Sequence, residues 1–168
     1  MFGGFVTLDS TYKGTLLIVN ATETPVNADA FPTYRTYGPN GFVKSGTTSF
    51  RDNGTLSNAT NASPIVITST SHGLSTGAMI TVVGVTGNTA ANGTFIVTVV
   101  DNNTFSLDGS TANGAYVSGG TWNVTGLYAF EISATGIDGY EAGESYQIQF
   151  TYDVISVEKS QLHGLQVN

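Results

Sequence analysis

The chain has no cysteine among its 168 residues. Disulfide bonds, catalytic thiols and cysteine-based zinc sites are therefore excluded. Positive charge is also scarce, because only five residues are Lys or Arg against twelve Asp or Glu, and the net charge is −7. Nucleic-acid binders need clustered cations to neutralise phosphates, and anionic membranes attract basic segments. We therefore expect neither nucleic acid nor a membrane as a partner.

Long apolar segments are missing as well. No stretch approaches the roughly 20 apolar residues of a membrane-spanning helix. The N-terminal residues 1–10 have neither the basic start nor the apolar centre of a signal peptide. We therefore expect synthesis in the cytoplasm without a signal peptide.

What the chain does contain favours β-structure. Charged residues make up 10% of the sequence and hydrophobic residues 40%, and there are 21 glycines. Thr and aromatic residues favour strands, while Gly and Asn favour the tight turns between them. No segment has a helical period with caps. The composition predicts an all-β protein.

The arrangement of these strands predicts an interrupted domain. Within residues 63–122, short apolar runs recur at a spacing of about ten residues, which is typical of a small β-barrel or sandwich. Residues 45–63 look like a long polar connection leading into this segment. We predict a discontinuous immunoglobulin-like sandwich from residues 1–62 plus 123–168, and an inserted small β-barrel-like module from 63–122. Trp122 is expected to pack at the junction between them.

The flanking segments carry the clearest strand patterns. The turn residues Gly38-Pro39-Asn40-Gly41 predict a β-hairpin over residues 32–43. Two later segments, 127–134 and 145–154, alternate between apolar and polar residues. The side chains expected in the core are Tyr128, Phe130, Ile132, Ala134, Tyr146, Ile148, Phe150 and Tyr152.

Candidate catalytic residues are few. His72 lies in a Ser-His-Gly turn, where a structural hydrogen bond to the backbone is the usual role, and His163 lies in the last strand region. No G-x-S-x-G motif exposes a serine, and no phosphate-binding glycine loop is present. Asp101-Asn102-Asn103 is typical of a turn whose side chains bind their own backbone. We predict no catalytic, cofactor-binding or metal-binding residues, no cofactor and no enzymatic activity.

The acidic residues Asp138, Glu141 and Glu144, with Asp153 nearby, suggest a calcium site at first sight. Calcium needs six to eight oxygen ligands from a compact loop, and the D-x-D-x-D-G spacing is absent. A solvated loop is the better interpretation. Pairing Glu131 with Glu141 or Glu144 for sugar hydrolysis requires two carboxyl groups at a defined separation, and nothing in the sequence indicates that geometry.

The segment 67–122 resembles a module found in virion proteins of tailed bacteriophages. The resemblance is carried by His72-Gly73-Leu74, Gly77, Val83-Gly84-Val85, Asn92-Gly93-Thr94-Phe95 and Asn103-Thr104-Phe105. That module is similar in fold to the first catalytic cysteine half-domain of ubiquitin-activating enzymes. The resemblance implies a fold only, because a chain without cysteine cannot form their thioester.

The flanks resemble an immunoglobulin-like domain of phage tail, baseplate and head-decoration proteins. The resemblance is carried by PTYRTYGPNG (32–41) and by the segment 125–154, in which Gly143 supports a turn before the strand that begins near Tyr146. Together the two resemblances imply a component of a phage virion.

Three functions remain open from the sequence. The first is a capsid decoration (cement) protein that binds the major capsid protein, stabilises the shell and forms a homo-oligomer, for which a trimer suits capsid symmetry. The second is a tail, neck or baseplate adaptor that binds tail or neck proteins. The third is a carbohydrate-binding adhesion module, whose candidate exposed aromatic residues are Tyr34, Tyr37, Tyr116 and Tyr140.

Overall fold

A computed structural model describes the backbone of residues 3–6, 8–155 and 157–167, and the side chains of 8–155, 159, 161, 162 and 164. In these residues the protein is all-β, as predicted, and the helical elements described are two short 3-10 turns, Thr89–Ala91 and Gly136–Asp138. The chain divides into two compact units. The first unit is Met1–Ser49 with Tyr128–Asn168, and the second is Phe50–Leu127.

The strands share the short lengths and tight connections that the composition predicts. In chain order they are β1 (Gly3–Val6), β2 (Ser10–Leu17), β3 (Thr33–Gly38), β4 (Gly41–Thr47), β5 (Ser49–Phe50), β6 (Asn53–Thr55), β7 (Asn58–Ala59), β8 (Ile65–Thr68), β9 (Met79–Val83), β10 (Gly93–Asp101), β11 (Thr104–Leu107), β12 (Thr121–Val124), β13 (Leu127–Ala134), β14 (Ser145–Val154) and β15 (Val157–Val167).

The first unit is consistent with the predicted immunoglobulin-like sandwich. One sheet has the order β1-β15-β14-β3-β4, and a smaller sheet has the order β2-β13-β5. Strand β1 is parallel to β15, whereas β15, β14, β3 and β4 pair antiparallel. The predicted hairpin is β3–β4, closed by the two-residue turn at Pro39 and Asn40. Gly41 follows this turn at φ 106°, a conformation that favours glycine.

Alternation places the predicted side chains in the core of this unit. Tyr128, Phe130, Ile132 and Ala134 of β13 are buried, and so are Tyr146, Ile148 and Phe150 of β14. Tyr152 is only partly buried, near the end of β14. The rings of Phe130 and Phe150 stack edge to face with centroids 4.8 Å apart. Such aromatic pairs contribute about 0.5–1.5 kcal/mol beyond the apolar area they bury.

The second unit contains one seven-stranded sheet of order β6-β12-β9-β10-β11-β8-β7. The long strand β10 joins two ladders, since its first half pairs with β9 and its second half pairs with β11. A register shift between Val99 and Asp101 bends it near the end. The core on the inner side includes Ile65, Ile67, Ile80, Val82, Val97, Phe105, Leu107 and Trp122.

The polar segment 45–63 differs from the long connection that the sequence predicts. It contains the three short strands β5, β6 and β7, of which β6 pairs with β12 and β7 pairs with β8. Buried backbone groups need hydrogen-bond partners, and the edges of the seven-stranded sheet supply them. The second unit therefore begins at residue 50 and ends at 127, whereas the sequence suggested 63 and 122.

Residues 115–120 lie outside the named strands, and β12 begins only at Thr121. Gly119 and Gly120 have φ of 78° and 105°, conformations outside the strand region, and Thr86 and Ser118 form an isolated bridge instead. At the C-terminus, residues 157–167 form the single strand β15.

Candidate functional site

A groove of about 410 Å³ opens in the first unit between the β3–β4 turn and the loop before β14. We call it the hairpin groove. Its lining residues are Gly38, Pro39, Asn40, Gly41, Phe42, Val43, Asp138, Gly139, Glu141, Glu144 and Tyr146. The groove thus gathers three of the four acidic residues considered for calcium, together with the tip of the hairpin.

Asp138 is neutralised by a neighbour on β4. Lys44 Nζ donates to Asp138 Oδ2 at 2.8 Å, and the Thr135 hydroxyl donates to the same oxygen at 2.6 Å. The Asp138 amide in turn donates to the Thr135 hydroxyl at 3.2 Å, which caps the short 3-10 turn. The hydrogen bond from Lys44, followed by that from Thr135, lowers the pKa of the Asp138 carboxyl.

Two tyrosines fix the loop that carries the acidic residues. The Tyr140 hydroxyl is 2.7 Å from the buried Thr36 hydroxyl, and burial raises the pKa of Tyr140. The Glu141 amide donates to the Tyr146 hydroxyl at 2.7 Å. The rings of Tyr140 and Tyr146 are tilted against each other with centroids 4.9 Å apart. The groove wall is therefore anchored to β3 and β14.

The open side of the hairpin groove combines negative charge with an exposed aromatic ring. Glu141 and Glu144 are exposed and form no ion pair with any side chain in the described ranges. Phe42 is 58% exposed, with Tyr37 edge-on to its ring at 6.1 Å. Glu131 lies outside the groove lining and is 3.4 Å from Lys13 Nζ, so the carboxyl pairs considered for sugar hydrolysis are not brought together there.

The aromatic residues considered for sugar stacking are not all exposed, as that hypothesis required. Tyr34 is 6% exposed and Tyr140 is 1% exposed, so the expectation was wrong for both. Tyr34 donates to the Glu131 carbonyl at 2.8 Å, and burial raises its pKa. Tyr37 and Tyr116 are partly buried. The alternation of side chains along β3 explains the burial of Tyr34, because Tyr34 and Thr36 both lie on the inward face of that strand.

In the second unit, both ring nitrogens of His72 bind backbone groups, as predicted. Nδ1 accepts from the Leu74 amide at 3.0 Å, and Nε2 lies 2.9 Å from the Asp101 carbonyl. Since an amide donates to Nδ1, the proton must be on Nε2. The ring packs edge-on against Phe105 at 5.1 Å. Neither nitrogen is left to take a proton from a serine, so this histidine is not arranged as a catalytic base.

Other residues of the sequence motif also bind backbone. The side-chain amide of Asn92 binds Val85, accepting from its amide at 2.8 Å and donating to its carbonyl at 2.9 Å. In the turn after β10, the Asn103 amide donates to Asp101 Oδ1 at 2.7 Å, as the sequence predicts. That hydrogen bond is the main cause of the lowered pKa of Asp101. The motif therefore holds turns in place.

Residues 63–124 match the family model of the ubiquitin-activating enzyme E1 FCCH domain. The match falls within the second unit and spans the motif residues His72, Asn92 and Asn103. It bears out the resemblance of the inserted segment, and we call residues 63–124 the FCCH-like module. The match covers under half of the chain, and it concerns this module alone.

No curated protein matches this chain. Among solved structures, it is similar to the collagen binding subdomain of the surface protein ACE of Enterococcus faecalis, at 11% identity and a TM-score of 0.25. The alignment covers 99% of this chain and 93% of that one.

Trp122 belongs to the core of the FCCH-like module, so its expected place at a domain junction was wrong. Its side chain is 2% exposed, donates from Nε1 to the Ser69 hydroxyl at 2.9 Å and meets the Phe105 ring at 6.2 Å. It also covers Gly54 of β6, where an added Cβ would come within 2.8 Å of Nε1. The ring is therefore unavailable for stacking on a sugar.

The described part of the chain contains neither a metal-binding cluster nor a membrane-spanning helix. No group of three or more His, Cys, Asp or Glu there could hold a metal ion. No helix there is long and apolar enough to cross a membrane. His163 pairs with Ile148 in the β14–β15 ladder, and its side chain lies outside the described residues.

Sequence reasoning missed the hairpin groove. It treated the turn 38–41 and the acidic loop as separate features, because they are distant in the sequence and meet only through the β3–β14 pairing. One signal was available. Phe42 follows the turn directly, where an apolar ring at a hairpin tip has little core to enter.

Proposed function

We propose that this chain is a non-catalytic structural protein of a tailed-phage virion, and specifically a capsid decoration protein that binds the outer shell. The observation that carries the proposal is the use of the motif residues. His72, Asn92 and Asn103 all bind backbone groups. In this domain the polar side chains of the motif form hydrogen bonds with the backbone of the domain's own turns. Such a domain is suited to a mechanical role.

One sheet face in the first unit suits broad contact with a protein shell. Part of the outward face of β3, β4 and β14 carries small or amide side chains and a single arginine. We call these residues the polar sheet face: Thr33, Arg35, Ser45, Thr47, Gln147 and Gln149. Protein interfaces are depleted of charge at their centres and enriched in arginine. We propose that this face contacts the major capsid protein.

The assembly and the location follow from the same proposal. A decoration protein follows the symmetry of its shell, so we propose a homo-oligomer with a trimer as the natural state. It is made in the host cytoplasm and ends in the virion. The tail or neck adaptor and the carbohydrate-binding module remain as alternatives, and burial of Tyr34 and Tyr140 weakens the latter.

The first test is gold-labelled antibody imaging of intact particles that carry the protein. Label over the head supports decoration of the capsid. If particles stripped of the protein then rupture earlier on heating, the result supports a cement role. Label confined to the tail or neck favours the adaptor. Absence of label contradicts the virion assignment, and a glycan array then tests the adhesion alternative.

A second test addresses the contact surface with matched variants. Ser45→Glu adds one negative charge to the polar sheet face, whereas Thr15→Glu adds the same charge to exposed β2. We expect Ser45→Glu to reduce co-sedimentation of the full chain with stripped capsids and Thr15→Glu to leave it unchanged. Equal effects of the two variants would show that another surface makes the contact.

A further inference from the structure

We propose that the hairpin groove binds an arginine side chain presented by a partner protein. The proposal goes beyond the virion assignment, because it is built on the groove alone. The concave site has about 410 Å³ of free volume, within the range of pockets that accept small ligands or single long side chains.

The walls of the groove match the two parts of such a side chain. Phe42, with 58% of its surface exposed, lines the groove together with Pro39 and Val43. An arginine stem packs on apolar surface while its head stays near water, and a guanidinium is attracted to an aromatic face. The apolar part of the groove therefore suits the stem.

The charge in the groove suits the guanidinium head. Asp138 is already neutralised by Lys44 at 2.8 Å. Glu141 and Glu144 line the same groove and have no described ion-pair partner. A planar guanidinium can bind carboxylates through several N–H groups at once, which an ammonium cannot do. We therefore expect arginine to bind more tightly than lysine.

The groove is held open before any partner arrives. The Tyr146 hydroxyl accepts from the Glu141 amide, and the Tyr140 hydroxyl is bonded to Thr36 of β3. Binding to a preformed groove costs less conformational entropy than binding to a loop that must become ordered. Ile137, next to Asp138 in the sequence, is fully exposed at 101% and lies outside the groove lining.

The test is an NMR titration of the full-length ¹⁵N-labelled chain with the peptide acetyl-Gly-Arg-Gly-amide. We expect saturable shifts of the amides at 41–43 and 139–144, and weaker shifts with the lysine peptide. The norleucine peptide, which keeps the stem without the charge, should give no saturation. Exposed ion pairs contribute little individually, so removing both carboxylates with Glu141→Gln/Glu144→Gln should weaken binding about three- to tenfold.

A matched double variant separates the groove from the overall charge. Glu23→Gln/Asp153→Asn removes the same two charges from exposed positions outside the groove lining. We expect it to bind the arginine peptide like the unmodified chain. Equal weakening in both double variants would mean that the net charge of −7 attracts the peptide generally, and it would overturn the proposal. Absence of shifts at millimolar peptide, or equal saturation by norleucine, would do the same. None of these outcomes affects the antibody-labelling test of the virion assignment, so the two proposals can fail independently.

Discussion

The side chain of Asn92 binds both backbone polar groups of Val85, with the Val85 amide donating at 2.8 Å and the Val85 carbonyl accepting at 2.9 Å. Val85 is 3% exposed, and the Asn92 side chain makes the hydrogen bonds to its backbone that a neighbouring strand would make in a sheet. Asn92 of the motif has this physical role. The same logic applies to His72, which joins the segment at Leu74 to the turn at Asp101.

Asn92→Ala is expected to destabilise the FCCH-like module. It leaves the amide and carbonyl of buried Val85 without these partners, at a cost of about 2–3 kcal/mol. Trp122 is the sole tryptophan and is buried in the module, so its fluorescence during urea unfolding reports on this unit. Asn102→Ala at an exposed position is the control and should stay within about 0.5 kcal/mol. Equal midpoints for both variants would contradict the assigned role of Asn92.

His72 is expected to carry its ring proton on Nε2 in the folded protein, since the Leu74 amide donates to Nδ1. Long-range ¹H–¹⁵N spectra distinguish the two tautomers, and His163→Gln identifies the second of the two histidine signals. His72→Ala should destabilise the module by about 1–2 kcal/mol through the lost hydrogen bonds. A proton found on Nδ1 would rule out the bond from Leu74.

Tyr140→Phe is expected to destabilise the first unit by about 1–2 kcal/mol, because the Thr36 hydroxyl loses a partner at a fully buried site. Hydrogen exchange of the β3 and β4 amides measures the change within this unit. Tyr37→Phe removes a hydroxyl from a partly buried ring on the same strand and serves as the control. Unchanged exchange in Tyr140→Phe would show that the hydroxyl pair contributes nothing.

The ion pair between Lys44 and Asp138 is expected to contribute stability that depends on pH. The folded-state pKa of Asp138 lies below its ordinary value of about 3.9. The contribution is therefore complete above that value and is lost as the pH falls through the lowered pKa. Carboxyl ¹³C titration measures the pKa directly. Lys44→Gln should raise it towards the ordinary value, and an unchanged pKa in that variant would exclude Lys44 as the cause.

Local pattern predicted the parts of the fold in which one strand face is apolar. The alternating segments 127–134 and 145–154 became β13 and β14, and their apolar positions entered the core. The turn at Pro39 and Asn40 closed the predicted hairpin. Side chains alternate between the two faces of a strand, so burial of one face leaves a period of two in the sequence.

The local sequence pattern did not predict the strands that form through backbone pairing at a sheet edge rather than through burial of apolar side chains. The segments 53–55 and 58–59 carry few apolar side chains, yet they complete the edges of the seven-stranded sheet through their backbones. The sequence places Trp122 where the inserted segment rejoins its flank, which predicts packing at that junction. Only the β6–β12–β9 pairing places it against Ser69, Phe105 and Gly54.

By itself the sequence determined the all-β class, the absence of thiol chemistry, the low positive charge, the structural role of His72 and the turn at Asp101-Asn102-Asn103, because each depends on residue type and local spacing. The tertiary structure alone decided that Tyr34 and Tyr140 are buried and that Phe42, Glu141 and Glu144 share one groove. Those residues are brought together by antiparallel pairing of β3 with β14, a long-range backbone contact that leaves no periodic signal in the sequence.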